Sequence, residues 1–169
     1  MIVEDGTGLV NADSYVSVEF ADNYFSTRGI TVWAELDTTK KEQSLIRATD
    51  FIDNMFQWCG KQSTAEQSLR FPRVNLKDYE GSDITGVPTR LKKSVCDVAV
   101  IASSGSELFQ TSDVNGDVVS ETITSLSFTY SKTEKTVASR TLYDSVNTKL
   151  RGLYVDSTIP RIQTGKMLR

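Results

Sequence analysis

Near residue 107 the spacing of apolar residues changes, and that change restricts the chain to a mixed architecture. Upstream, apolar side chains recur three and four apart, as one face of a helix requires. Downstream, Val118, Val119 and Ile123, then Leu126, Phe128 and Tyr130, alternate with Ser and Thr as strands do. Asn115-Gly116 is a strong hairpin turn signal, and the phase slip between Ile123 and Leu126 predicts a bulge or bend there. The period returns to helical after about residue 137. The expected fold is therefore mainly α with a β-hairpin or small antiparallel sheet: a small helical bundle core with a projecting hairpin.

Four helices account for the core. Ser17 can cap a first helix over about 17–28, with Phe20, Ala21, Tyr24 and Phe25 on one face and Gly29 closing it. A second starts after Asp37 to Thr39, carries Leu45, Ala48, Thr49, Ile52, Met55 and Phe56, and is expected to end at Gly60. Ser63 to Glu66 has capping-box form for one short helical turn, and Leu69-Arg-Phe-Pro-Arg73 must be extended, since the residue before proline avoids the α region. Pro88 suits the first position of a third helix with the stripe Leu91, Val95, Val98, Ala99 and Ala102, stopping near Gly105. Ser139 can cap a fourth, with Leu142, Val146, Leu150 and Leu153.

The expected organisation is one domain over 1–153, with the hairpin inserted at about 107–137, followed by an extended C-terminal arm over 154–169. After Gly152 periodicity stops, and the arm carries Arg161, Lys166 and Arg169 with no acid after Asp156. Gly6-Thr-Gly8 reads as a flexible start.

Composition narrows function by subtraction. No histidine occurs, which removes the commonest general base and metal ligand and the Ser-His and Cys-His pairs. Asp113, Asn115 and Asp117 start like a calcium loop, but Val118 and Thr124 stand where its glycine and glutamate belong. No phosphate-binding glycine loop is present. Cys59 and Cys96 read as reduced packing thiols. An enzyme, a cofactor and a metal are accordingly not expected. The net charge of −3 gives no global field for nucleic acid, so any such contact must be local, with Arg90, Lys92 and Lys93 as the candidates. Trp33, Trp58 and Phe71 could stack on bases but sit where core-edge aromatics sit. The N-terminus lacks the layout of a signal peptide and no apolar run approaches the ~20 residues of a membrane span, so a soluble, non-secreted protein without membrane contact is expected.

Several segments together resemble a known family. VEDGTGLVNADSYVSVEFADNYFSTRG at the start, KEQSLIRATDFID in the second helix, LRFPR, VPTRLKKSVCDVA in the third helix and VVSETITSLSFTYS are similar to small tailed-phage proteins of the head-tail connector, or adaptor, class. Some relatives carry the label DnaT-like single-stranded-DNA-binding protein. The resemblance, which runs to about Tyr130, implies a protein made in the bacterial host cytoplasm and placed at the head-tail junction of the virion. There it would form a twelve-fold ring on the portal protein and seat the next neck or tail protein, while packaged double-stranded DNA passes through the lumen without specific binding.

In such a ring Ile123, Leu126, Phe128 and Tyr130 would pack against the adjacent subunit or partner. The arm would reach the portal through Tyr154, Ile159, Ile162 and Leu168, with Arg161, Lys166 and Arg169 on acidic surface. A structural connector is thus the leading expectation. A single-stranded nucleic-acid-binding replication module using Arg90, Lys92 and Lys93 is the alternative.

Overall fold

Helix α2 (Thr38–Met55) lies along α3 (Thr89–Ser103), and α1 (Val18–Ser26) rests on both. The computed structural model describes residues 1–78, 81–105, 108, 120–123, 126–129 and 144–155, the strands within 120–129 by their backbone alone. Two short antiparallel pairs join the helices: β1 (Lys61–Gln62) with β2 (Arg73–Val74), and β3 (Ser120–Ile123) with β4 (Leu126–Thr129). A last helix, α4, spans 144–150. The fold is mainly α with a small hairpin.

Helices α1 and α2 start where their capping side chains are. The Ser17 hydroxyl accepts the Phe20 N–H at 3.1 Å, and the Asp37 carboxylate accepts the Lys40 N–H at 2.8 Å. The predicted stripes are buried: Ala21, Tyr24 and Phe25 on α1, Leu45, Ala48 and Ile52 on α2, and Leu91, Val95, Val98, Ala99 and Ala102 on α3. Val146, Leu150 and Leu153 close the core from the C-terminal side. Each buried Val, Leu, Ile or Phe among them contributes about 1.5–3 kcal/mol of transfer free energy. Ser139 and Leu142 lie outside the described residues.

Boundaries differ from expectation for local reasons. Pro88 is the N-cap rather than the first helical residue: its ψ of 138° is extended, and its carbonyl accepts the Leu91 N–H at 2.9 Å. Helix α2 stops at Met55, not Gly60, because 57–59 forms a ladder instead: Cys59 N–H donates to the Leu153 carbonyl at 2.8 Å and Val155 N–H to that of Gln57 at 2.7 Å. Met55 is consequently 46% exposed. Tyr154, expected as an arm residue, bridges Trp58 and sets its ring 4.7 Å from that of Phe56, so it belongs to the body. Ile159, Arg161, Ile162, Lys166, Leu168 and Arg169 lie outside the described residues.

No helix forms over 63–66. The Gln67 amide takes its place, accepting the Thr64 N–H at 3.0 Å and donating to the Leu69 and Pro72 carbonyls at 2.7 and 3.1 Å. The opening glycines are likewise ordered by a side chain. Glu4, 1% exposed, accepts N–H bonds from Gly6, Gly8 and Leu9 at 2.8, 2.9 and 2.8 Å. Gly6 and Gly8 adopt φ of +104° and +89°, open to glycine at low cost.

In the hairpin, Ile123 pairs with Leu126 and Ser120 with Thr129. Ser120–Ile123 and Leu126–Thr129 are therefore two antiparallel strands, where the sequence pattern predicted only a bulge or bend between Ile123 and Leu126. Neither strand contacts α1, α2, α3, β1 or β2. The side chains of Ile123, Leu126 and Phe128, all of Tyr130, and the Asn115-Gly116 turn signal lie outside what is described. Among the described residues no helix is long and apolar enough to cross a membrane.

Candidate functional site

The three basic residues adjacent at the start of α3 do not converge. Arg90 and Lys93, three apart, share a face of the helix, while Lys92 points about 160° from Arg90 and about 100° from Lys93. The Arg90 guanidinium donates to the Arg151 carbonyl at 3.2 Å, tying α3 to the turn after α4. Lys92 places its ammonium 6.0 Å over the Phe20 ring, and only Lys93 is fully exposed. Nor do the aromatics offer a stacking platform: Trp33, Trp58 and Phe71 are 1, 7 and 0% exposed. Trp33 further anchors its indole N–H on Asp22 at 2.8 Å.

What the fold does bring together is the end of α2 and the Leu69–Arg73 loop. The Phe71–Pro72 peptide bond is cis. Arg73 holds this turn by donating to three carbonyls, those of Cys59, Arg70 and Gly60 at 2.5, 3.0 and 2.9 Å. Gly60 can sit there only without a side chain, since its φ is +73° and a Cβ would lie 2.6 Å from the Val74 carbonyl oxygen. From the helix side, Asp53 accepts the Tyr15 hydroxyl at 2.6 Å and the Arg70 N–H at 2.9 Å, while the Tyr15 oxygen accepts the Phe71 N–H at 3.0 Å. Burial pushes the Asp53 carboxyl up to about 6 against these stabilising bonds, and burial followed by Asp53 pushes the Tyr15 phenol up.

Two clefts open over this network. One, of about 320 Å³, is lined by Asp53, Asn54, Gln57, Trp58, Arg70 and Arg73. The other, of about 390 Å³, shares Asp53, Asn54 and Arg70 and continues to Gln62 and Ser68. The Arg70 side chain is exposed and has no hydrogen bond or ion pair among the described residues, and the same holds for Lys61 on the adjoining β1. The Trp58 indole nitrogen is buried with no hydrogen-bond partner among the described residues. The positive charges of Arg70 and Arg73 are partly opposed by Asp50 and Asp53 in the cleft walls.

The sequence reading treated Leu69–Arg73 only as an extended link. Two arginines three apart around Phe-Pro are the signal that could have drawn attention to it. Elsewhere, Cys96 is buried and its thiol is pushed up to about 12, chiefly by burial, which makes it a packing group. Cys59 is also free. Among the described residues no group of three or more potential metal ligands is found.

The protein is thus a mainly α body carrying a polar, arginine-rimmed cleft. The chain belongs to the family described as "Putative DnaT-like ssDNA binding protein", which matches residues 1–167. No curated protein and no solved structure is significantly similar to it.

Proposed function

We propose that the protein binds single-stranded DNA without catalysis, using the edge formed by Lys61, Arg70 and Arg73. The observation that carries this reading is membership, over nearly the whole chain, of a family described by that activity. The free Arg70 and Lys61 side chains supply the local positive charge that the overall −3 does not. This replaces Arg90, Lys92 and Lys93 as the contact surface. About three phosphates can be met by such an edge, so log affinity should fall against log salt with a slope near −2. Fluorescence anisotropy of a labelled oligo-dT over a sodium chloride series tests it. Arg70→Ala and Lys61→Ala should each flatten the slope by about 0.7, the single-strand value per phosphate. Salt-independent binding, or none at low salt, refutes the proposal.

A second reading, the head-tail connector, is favoured by the β3–β4 ribbon, whose strands touch none of α1, α2, α3, β1 and β2. Two-stranded ribbons alone are marginal in water, which suits one that is completed by a neighbouring subunit or partner. On this reading the protein forms a ring on the portal, with the ribbon as an interface and residues 156–169 as the portal arm. Light scattering after size exclusion, with and without the portal, tests it; failure to co-elute in a saturating ring refutes it.

A further inference from the structure

We infer that the cleft between the end of α2 and the Leu69–Arg73 loop receives one nucleobase, hydrogen-bonded by the Trp58 indole N–H and the Gln57 amide. The inference rests on the single-stranded-DNA reading and adds a subsite to it. A buried donor without an acceptor costs stability, and native proteins leave few of them. Trp58 is 7% exposed, lines the cleft, and has no partner for its N–H. The surrounding rings explain its burial but give it no acceptor: Phe71 lies 5.0 Å away edge-on and Phe56 5.4 Å away.

The chemistry of the walls selects the ligand. A phosphate would meet the Asp53 carboxylate, whereas a base edge offers N–H donors to Asp53 and carbonyl or ring-nitrogen acceptors to Trp58 and Arg70. Gln57 is exposed with its amide unengaged, and Asn54 uses only its N–H₂, on the Asp50 carbonyl at 2.8 Å, leaving its oxygen free. A volume of about 320 Å³ is at the small end of ligand pockets, as a single base requires.

The test compares binding of a labelled oligo-dT with that of an abasic oligomer of equal length, for the whole chain and for Trp58→Phe and Gln57→Ala. The expected result is tighter binding of oligo-dT than of the abasic strand. Trp58→Phe should weaken oligo-dT binding about fivefold, the loss of one hydrogen bond, and leave the abasic strand unaffected. Because the smaller phenyl ring leaves a gap beside Phe56 and Phe71, Trp58→Phe is read against its own affinity for the abasic strand, which a loss of folding would lower and a loss of the base contact would not. Gln57→Ala, an exposed position, should weaken oligo-dT binding severalfold even if Trp58→Phe proves unstable. Equal affinity for the two strands, or oligo-dT binding unchanged in both variants, overturns the base subsite and leaves the phosphate edge standing. No binding of either strand by the parent overturns the single-stranded-DNA reading and the subsite with it.

Discussion

Tyr15→Phe isolates the network beneath the cleft. The hydroxyl both donates to Asp53 at 2.6 Å and accepts the Phe71 N–H at 3.0 Å, so its loss strands a buried N–H and half of a buried carboxylate. Each stranded group costs about 1–3 kcal/mol, and a combined loss of about 3 kcal/mol is expected. In a chain of this size that lowers Tm by ~6–12 °C. The loss should also depend on pH. Asp53 is raised from 3.8 to about 6 mainly by burial, so its contribution to stability is greatest below 3.8 and disappears as pH rises through about 6. Removing Tyr15's bond, which favours the ionised form, raises Asp53 further and extends that decline to higher pH. Urea unfolding at pH 5.0 and 7.5 should therefore show a larger deficit at pH 7.5, with m unchanged. A deficit below about 1 kcal/mol at pH 7.5, against the expected cost of two stranded groups, or one equal at both pH values, refutes the reasoning.

Gly60→Ala combines a φ of +73° with a Cβ 2.6 Å from the Val74 oxygen, and should cost about 2–3 kcal/mol and disturb the β1–β2 pair, read by thermal melting and by amide exchange at Lys61. Glu4→Gln leaves one oxygen where two now accept three N–H bonds, and should destabilise by about 2 kcal/mol, with protection of the Gly6, Gly8 and Leu9 amides lost first in hydrogen exchange. Cys96, buried and with its thiol pushed up to about 12, should resist alkylation at pH 8 until the chain unfolds; labelling of the native protein at Cys96 at the free-thiol rate would contradict its placement. Lys93→Ala, at an exposed helical position, should change stability by less than about 0.5 kcal/mol.

The helices were legible because their signals are local: a capping side chain, a stripe at helical spacing, and a glycine or proline near each end. The end of α2 was not, because what stops it is 153–155, nearly a hundred residues downstream, supplying backbone partners to 57–59. The cleft was illegible for the same reason. Tyr15, Asp53 and Arg70 are far apart in sequence, and nothing about a lone tyrosine or aspartate announces that the two will accept backbone N–H bonds from a distant loop. Conversely, Arg90, Lys92 and Lys93 look like a cluster on the page, but helical rotation turns Lys92 away and the Arg90 guanidinium is taken up by the Arg151 carbonyl. Gly6-Thr-Gly8 looked loose because the buried Glu4 that orders it resembles any surface acid until its burial is known.

Asp97 has a topological consequence. Its carboxylate receives the Tyr24 hydroxyl at 2.8 Å and also pairs with Lys149, so α1, α3 and α4 meet at one side chain. Helix α4 is too short to persist alone, and this latch, with Leu150 and Leu153 in the core, holds it against the body. Everything from 106 to 143 is thereby inserted between two fixed points. Closing such a segment costs only about 0.6 kcal/mol more for each doubling of its length. The ribbon can thus be lengthened, shortened or exchanged in evolution while the helical body stays as it is, which leaves one part of the molecule to set its stability and another to be adapted to whatever it meets.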